Sequence, residues 1–191
     1  KFKHKKKFII EKNIKINNNK TALPIIIPNE GNLSNLLYIQ GNYENEVYFN
    51  LYKDDLIKMY KPLKKFINYS NEIIDQLKNT NSVSIHVRKN KYSDQPHEII
   101  NNEKLIKSEN FTNDLLDYIK KSIVYFEKKI NNPTFFIWSN DLDSIADHFK
   151  DEKFIFVKGN DVINDFNLFS YAKHFIVGGS TFHWWGAYLN T

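Results

Sequence analysis

The fold of this chain is decided by the stretch Ser82-Val83-Ser84-Ile85-His86-Val87-Arg88, whose β-branched run predicts a strand. A second stretch, Thr134-Phe135-Phe136-Ile137-Trp138, is apolar without interruption and predicts another strand. The remaining predicted elements are strands at 153–157 and 174–177 and helices at 110–130, 141–149, 162–172 and 181–189. Strands that are apolar on both faces, each followed by a helix, predict a parallel sheet covered by helices on both sides.

The predicted fold class is therefore α/β, with a Rossmann-like parallel sheet in residues 81–191. Residues 1–80 form a separate region that we expect to be mostly helical, with apolar residues near helical spacing at 45–66 and 67–77 and a short strand at 23–28. The chain does not begin with Met, and we interpret residues 1–80 as a partial N-terminal region on the acceptor side.

Composition narrows the class of protein. No apolar run in the 191 residues is long enough to span a bilayer, and no signal peptide pattern is present. The absence of cysteine excludes disulfides and Cys-ligated zinc and fits a reducing compartment. Two basic patches suit an anionic membrane surface, a nucleic acid or plain solvent; they consist of Lys1, Lys3, Lys5, Lys6 and Lys7 and of Lys61, Lys64 and Lys65. No nucleic-acid recognition motif accompanies them, so we expect no nucleic-acid partner.

Arg88 is the single arginine among 27 lysine and arginine residues, and it follows the first strand directly. A guanidinium differs from an ammonium because it is planar, always charged and able to bind a phosphate or carboxylate with two parallel hydrogen bonds. In a doubly wound sheet, ligands bind at the carboxyl ends of the strands. Arg88 is therefore predicted to bind an anion there, with a structural ion pair as the alternative.

Two further strand ends carry polar residues. Ser139-Asn140-Asp141 offers a carboxylate to a guanine edge or a ribose, and Gly178-Gly179-Ser180-Thr181 opens a helix whose N-terminus favours an anion. Both patterns also suit ordinary helix caps. Together with Arg88, they provide a cation, hydroxyls and a carboxylate at one sheet edge, a combination that suits a nucleoside diphosphate.

Four blocks of the sequence, in order, resemble one family of enzymes. The most specific is Gly178-Gly179-Ser180-Thr181-Phe182-His183-Trp184-Trp185-Gly186-Ala187-Tyr188-Leu189. The other three are Gly41-Asn42-Tyr43-Glu44-Asn45-Glu46-Val47-Tyr48-Phe49, His86-Val87-Arg88-Lys89-Asn90-Lys91-Tyr92 and Phe136-Ile137-Trp138-Ser139-Asn140-Asp141. These blocks resemble motifs of the α-1,2-fucosyltransferases, glycosyltransferase family 11.

The resemblance implies a GT-B-like fold and an inverting transfer of fucose from GDP-fucose to a galactose-containing glycan, without a metal or another cofactor. It implies a role in the synthesis of surface polysaccharide or lipopolysaccharide. Arg88 would hold the diphosphate, His86 would contact the nucleotide, and Asp141 would bind guanine or ribose. The other expected donor-binding residues are Lys89, Asn140, Ser180, Thr181 and His183.

A transfer to a hydroxyl benefits from a general base near the acceptor. Asp94 and Glu98 follow Arg88 in one loop and are the candidates, with a solvated acidic loop as the alternative; Glu44 and Glu46 are weaker candidates. Arg88, Asp94 and Glu98 form the predicted catalytic set. The six histidines show no metal-ligand spacing, so we expect no metal site.

The sequence departs from the family's motifs at several positions. Lys89 stands for an arginine, Asn90-Lys91 for Gly-Asp, Gly179 for an asparagine and His183 for the serine before the Trp pair. The family's Gly-Gly-Leu-Gly-Asn-Gln block has no counterpart. These differences leave open a non-catalytic nucleotide-sugar or glycan-binding module, and the basic run leaves open a lipid-docking protein. The expected location is the cytoplasm, with peripheral association at the inner membrane as the option that the basic patches suggest.

Overall fold

The computed structural model describes the backbone of residues 7–10, 13–16, 19–22 and 37–40, and residues 46, 49–60, 68–94 and 99–190 in full. The chain forms two compact units, Lys1–Lys58 and Met59–Thr191. The sequence analysis instead divides the chain after residue 80. The predicted strand at 23–28, Glu44, Glu98 and the patch of Lys61, Lys64 and Lys65 lie outside the described residues. Of the N-terminal basic patch, only the backbone of Lys7 is described.

The described residues of the first unit form two small sheets. Strands β1 (Lys7–Ile10) and β4 (Leu37–Gln40) pair in parallel, while β2 (Asn13–Ile16) and β3 (Asn19–Ala22) pair antiparallel. A 3₁₀ turn at Asn50–Tyr52 leads into helix α1 (Lys53–Tyr60), which continues past the end of this unit. In the described part of residues 45–66, the helical spacing corresponds to this 3₁₀ turn and to α1.

The second unit is built on a four-stranded parallel sheet, which confirms the predicted α/β class. Its strands are β5 (Asn81–Val87), β6 (Pro133–Ser139), β7 (Phe154–Phe156) and β8 (His174–Ile176), in the order β7-β6-β5-β8. The two central strands are the apolar stretches that the sequence analysis identified. Their side chains are buried from Ser82 to Val87 and from Phe135 to Trp138, because helices cover both faces.

One face of the sheet packs against helix α3 (Asn102–Lys129). The core on this face joins alternate residues of β5 and β6 to the buried stripe of α3, with three residues from other elements. It consists of Val83, Ile85, Val87, Phe135, Ile137, Leu115, Leu116, Ile119, Ile123, Ile145, Phe149 and Ile176. Alternation along a strand sends these side chains to one face and their neighbours to the other.

The opposite face carries helices α2 (Asn71–Asn79), α4 (Val162–Phe169) and α5 (Thr181–Tyr188). Two buried β5 hydroxyls fasten these elements to the sheet. Ser82 Oγ donates to the Leu77 carbonyl at 2.5 Å, and Ser84 Oγ donates to the Phe169 carbonyl at 2.9 Å. His86 follows in the same alternating series and therefore points to this helix-covered face.

Helix α3 begins eight residues earlier than predicted, at Asn102 rather than Asn110. The Asn101 side chain caps the helix by accepting a hydrogen bond from Lys104 N at 2.9 Å. Asn110 and Thr112, the caps that the predicted start at residue 110 would use, lie inside the helix. No glycine or proline interrupts residues 102–109, so the helix extends back to the first good N-cap.

The other boundaries shift by smaller amounts. The predicted helix at 141–149 is a 3₁₀ helix over Asp143–His148, and the predicted helix at 162–172 ends at Phe169, where Ser170 caps it. The prediction of residues 67–77 as helix is confirmed over Asn71–Asn79, which buries Leu77 against the sheet.

Candidate functional site

The three predicted strand ends meet at one edge of the sheet. Strand β5 is central and pairs with β6 on one side and with β8 on the other, so Val87 lies opposite Ser139, and Ile85 lies opposite Ile176. The residues that follow these strands emerge side by side because all three strands run in the same direction. The topology thus brings together Arg88, the segment 139–141 and the turn 178–180.

Arg88 forms an ion pair across its own loop. Its Nη2 atom lies 2.5 Å from Asp94 Oδ2, and the two side chains are 27% and 34% exposed. Asn90 makes this contact possible because its positive φ of 56° turns the chain back, and its carbonyl accepts hydrogen bonds from the main-chain N–H groups of Ser93 and Asp94. The guanidinium has four other N–H donors and remains partly open to solvent.

The predicted site residue Asn140 joins the ends of the two central strands. Its Oδ1 atom accepts from Lys89 N at 2.8 Å, and its Nδ2 atom donates to the Lys89 carbonyl at 3.2 Å. The oxygen and the nitrogen of the amide therefore both bond one residue in the loop after the neighbouring strand. Asn140 fixes the position of Lys89, directly after Arg88.

Asp141 precedes the N-cap residue Leu142 of the 3₁₀ helix that follows β6, and it bonds the first turn of that helix. Its carboxylate accepts from Ser144 N at 3.3 Å, its own N–H donates to Ser139 Oγ at 3.0 Å, and its carbonyl accepts from Ser144 Oγ at 3.1 Å. The capping alternative raised by the sequence is thus present. The carboxylate stays partly exposed at the sheet edge.

The glycine turn before α5 is tightly packed. A Cβ atom on Gly178 would lie 2.5 Å from Leu115 Cδ1, so this position accommodates only glycine without displacement. Lys91 Nζ donates to the Gly179 carbonyl at 2.6 Å, which ties the loop after β5 to this turn. Ser180 precedes the helix in an extended conformation without a side-chain cap bond, and Thr181 is exposed.

His86 and His183 form a buried pair between β5 and α5. His86 Nδ1 lies 2.6 Å from His183 Nε2, and Gly178 N donates to His183 Nδ1 at 2.9 Å. Burial, then the charges of His183 and Arg88, hold the pKa of His86 well below its usual value. Burial and the Lys91 charge lower the pKa of His183 to about 4. Both rings are therefore neutral near pH 7.

The Trp-Trp segment forms a stacked aromatic cluster on α5. Trp184 stacks on Tyr188 with ring centroids 4.9 Å apart, and Trp185 stacks on Tyr60 at 5.5 Å. Gly186 permits the approach of α4, because a Cβ there would lie 2.5 Å from Phe169 Cδ1. These contacts are packing interactions of the helix.

Sequence reasoning missed a polar group that follows β7 at the same edge. Asp161 caps α4 by accepting from Asn164 N at 2.8 Å, and Asn160 Nδ2 donates to Asp165 Oδ1 at 3.1 Å. Burial raises the pKa of the Asp165 carboxyl, and the bond from Asn160 opposes that shift. The Asn160-Asp161 pair after a strand was the available sequence signal, since it repeats the pattern of Asn140-Asp141.

Of the other candidates for the general base, Glu46 is the one whose placement is described. Glu46 is exposed, within the first unit. Among the residues whose placement is described, no group of three or more His, Asp or Glu side chains could hold a metal ion. Within the same residues, no helix has the length and apolar character needed to cross a membrane.

The fold and this edge define an α/β protein with a Rossmann-like sheet whose strand ends carry an arginine, lysines, a buried histidine pair and a glycine turn. The chain belongs to glycosyl transferase family 11, whose profile matches residues 6–191. The family suggested by the four sequence blocks is therefore confirmed.

Two curated relatives come from Escherichia coli. The chain aligns over 165 residues with an alpha-1,2-colitosyltransferase at 30% identity, and this alignment covers 83% of the chain and 53% of that protein. It aligns over 158 residues with the O-antigen biosynthesis glycosyltransferase WbnK at 25% identity, and this alignment covers 78% of the chain and 49% of that protein. The chain thus spans about half the length of the curated relatives it matches. No solved structure matches it significantly.

Proposed function

We propose that this chain carries the donor-binding part of an inverting glycosyltransferase that moves fucose from GDP-fucose to a hydroxyl of a galactose-containing glycan. The linkage formed is α-1,2, and the product is surface polysaccharide or lipopolysaccharide. Family membership supports the reaction class, and the name of one relative, an O-antigen biosynthesis glycosyltransferase, supports the product class. In this proposal the sheet is one half of a GT-B-like fold, and the partial N-terminal region lies on the acceptor side.

The observation that carries the proposal is the position of Arg88 at the carboxyl end of the central strand, beside the glycine turn that opens α5. Departure of GDP leaves negative charge on the diphosphate, and a preorganised guanidinium stabilises that charge in the transition state. Lys89, whose backbone Asn140 holds, adds a second cation next to Arg88. Ser180 and Thr181 contribute hydroxyls at the helix N-terminus.

Asp94 and Glu98 divide the remaining roles. The Asp94 carboxylate contacts the Arg88 guanidinium, which supports a role in orienting the arginine toward the diphosphate. Glu98 then remains the candidate for the base that takes the proton of the acceptor hydroxyl. Asp141, with its carboxylate partly exposed at the edge, binds the guanine or the ribose.

The identity of the transferred sugar is the most specific part of the proposal. Family resemblance favours fucose, whereas the name of one relative is an alpha-1,2-colitosyltransferase. Colitose is fucose without its 3-hydroxyl group, so a site that hydrogen-bonds this hydroxyl would discriminate strongly against colitose. A site with no partner for it would accept both sugars.

The experiment is turnover of GDP-fucose by this chain with a panel of galactose-terminated glycans, with GDP-colitose as the competing donor and with and without a chelator. The proposal expects an α-1,2-linked product from GDP-fucose that persists with the chelator. Product from GDP-colitose alone would reassign the sugar, and loss of activity with the chelator would overturn metal independence.

A second candidate is a non-catalytic nucleotide-sugar or glycan-binding module. The Lys91 contact favours it, because this residue stands where the family motif has an aspartate and bonds the Gly179 carbonyl. GDP binding by a folded chain that yields no product with any acceptor in the panel would favour this second function.

A further inference from the structure

The buried histidine pair differs from the rest of the candidate site because its hydrogen bonds run in one direction. The main-chain N–H of Gly178 donates to His183 Nδ1 at 2.9 Å. The other nitrogen of that ring, Nε2, lies 2.6 Å from His86 Nδ1. A main-chain donor, a helix residue and a strand residue are thereby connected in a chain.

The direction of this chain follows from the chemistry of imidazole. A neutral ring has one N–H donor and one acceptor nitrogen. His183 accepts at Nδ1, so its proton is on Nε2, and this N–H donates to His86 Nδ1. If His86 donated instead, His183 would have to accept at both nitrogens, which a neutral imidazole cannot do. His86 therefore accepts at Nδ1 and carries its proton on Nε2.

The surroundings keep both rings uncharged. His183 is fully buried and His86 is 8% exposed, and Phe182 stacks on His86 with centroids 4.5 Å apart. Among the described residues, the ionic groups whose charges lower the pKa values of the pair are Arg88 and Lys91, both cations. Asp94, the nearby carboxylate, is paired with Arg88. Positive neighbours and burial both disfavour an imidazolium.

His86 is the next-to-last residue of β5, and Arg88 follows the strand directly, at the edge where the anion is expected. The charge of Arg88 acts on the His86 ring and lowers its pKa. The His86 ring is 8% exposed, so it is not completely enclosed by the core.

We propose that His183 is a positioning residue: it fixes His86 as a neutral ring whose Nε2–H, beside the Arg88 guanidinium, donates to the nucleoside diphosphate of the sugar donor. This inference rests on the proposed function. It concerns a residue particular to this chain, since the resembling motif has a serine at this position. A serine side chain ends at its hydroxyl and lacks the Nε2 atom that reaches His86.

The first test is the ¹⁵N spectrum of the histidine rings in the ligand-free chain. The wild type should show His86 and His183 as Nε2–H tautomers that stay neutral down to pH 6. Replacing His183 by glutamine keeps an N–H donor and should preserve the His86 tautomer, whereas His183→Leu should yield mixed tautomers. His148→Gln, at an exposed histidine of the 3₁₀ helix, is the matched control. A wild-type His86 that carries its proton on Nδ1, or both protons at pH 7, would overturn the proposal.

The second test is GDP affinity as a function of pH. At pH 7.5, His183→Leu should weaken GDP binding about fivefold, the loss expected for one hydrogen bond, and His183→Gln should restore most of it. Between pH 8 and 6, His183→Leu should gain affinity relative to the control, because an unrestrained His86 takes up a proton. Equal affinities and parallel pH profiles would contradict the positioning role.

The two proposals fail in different ways. The absence of GDP binding by the folded wild type would overturn the proposed function and, with it, the ligand assigned to His86. A correct tautomer pattern with no change in affinity for His183→Leu would overturn only the positioning role.

Discussion

The two edges of the parallel sheet hold their lysines in opposite ways. At the amino edge, Lys153 Nζ lies 2.7 Å from Glu127 and 3.4 Å from Asp151, and the bond to Glu127 is the main reason for its raised pKa. At the carboxyl edge, Lys91 Nζ bonds the carbonyl of Gly179 at 2.6 Å and lies 4.3 Å from the Phe111 ring centroid. Lys153 thus lies between two carboxylates, whereas the Lys91 bond ties the loop after β5 to the glycine turn.

This difference distinguishes a charge that stabilises the fold from charges that can bind a ligand. The amino edge balances its cation within the fold, so it has no electrostatic need of a ligand. At the carboxyl edge, the Arg88 guanidinium stays partly open to solvent beside Asp94, and its remaining donors suit a diphosphate. The comparison therefore predicts that substitutions at one edge change ligand binding, whereas substitutions at the other change stability slightly.

The largest expected effect is acid destabilisation through the histidine pair. The pKa of His183 is about 4 in the folded chain, below its ordinary value of 6.5. The unfolded chain therefore binds more protons below pH 6.5, and stability is full above that pH and decreases as the pH falls toward 4. The free energy of unfolding should fall by roughly 3 kcal/mol over this interval.

Urea unfolding at pH 7.5 and 4.5 measures this change, and His183→Gln should reduce the difference between the two values. An unfolding free energy that stays constant from pH 7.5 to 4.5 in the wild type would show that the pair titrates normally. The assignment of His86 and His183 as a buried, neutral pair would then be wrong.

Arg88→Lys is the next effect in size. A lysine keeps the charge but loses the planar fork, so GDP binding should weaken by at least roughly 1 kcal/mol, the low end for a charge-assisted bond. Calorimetric affinity measures this loss. Lys153→Met at the amino edge is the matched control and should bind GDP like the wild type. Weakening by both substitutions would remove the distinction between the two edges.

Asn140→Ala should destabilise the chain by about 1 kcal/mol, because Lys89 N and the Lys89 carbonyl each lose a partner at a partly solvated strand end. Urea unfolding at pH 7.5 measures it, with Asn113→Ala at an exposed position of α3 as the control. If both variants unfold at the same denaturant concentration, Asn140 is not a connector between the strands.

The smallest effect belongs to Lys153→Met. Exposed ion pairs contribute between zero and about 1 kcal/mol and are screened by salt. The loss in unfolding free energy should stay below about 1 kcal/mol and shrink in 1 M salt. A larger, salt-independent loss would mean that this lysine stabilises the amino edge through packing.

The sequence predicted the parts of the structure that depend on local pattern. Uninterrupted apolar runs such as Thr134-Phe135-Phe136-Ile137-Trp138 belong to buried parallel strands, and the parallel topology then places their carboxyl ends together. Arg88 could be assigned to that edge for the same reason. The start of α3 was missed because Asn101 and Asn110 are equally good caps by residue type, and only the absence of a helix breaker between them distinguishes the two.

Contacts between residues that are distant along the chain could not be predicted from the sequence. His86 and His183 are 97 residues apart, and neither position suggests a partner until the crossover places α5 against β5. Lys91 was interpreted as a departure from the family motif, but its contact with the Gly179 carbonyl depends on how the loop after β5 folds back. Such pairings are decided by tertiary packing, which periodicity and motif spacing do not encode.

The central claim is that the carboxyl edge is a site for a guanine nucleoside diphosphate. Calorimetric titration of the folded chain with GDP, with ADP and UDP as controls, tests it most directly. The account predicts saturable binding of GDP that is stronger than that of either control and is weakened by Arg88→Lys. Equal affinities for the three nucleotides would contradict recognition of guanine, and the absence of any binding would contradict the site itself.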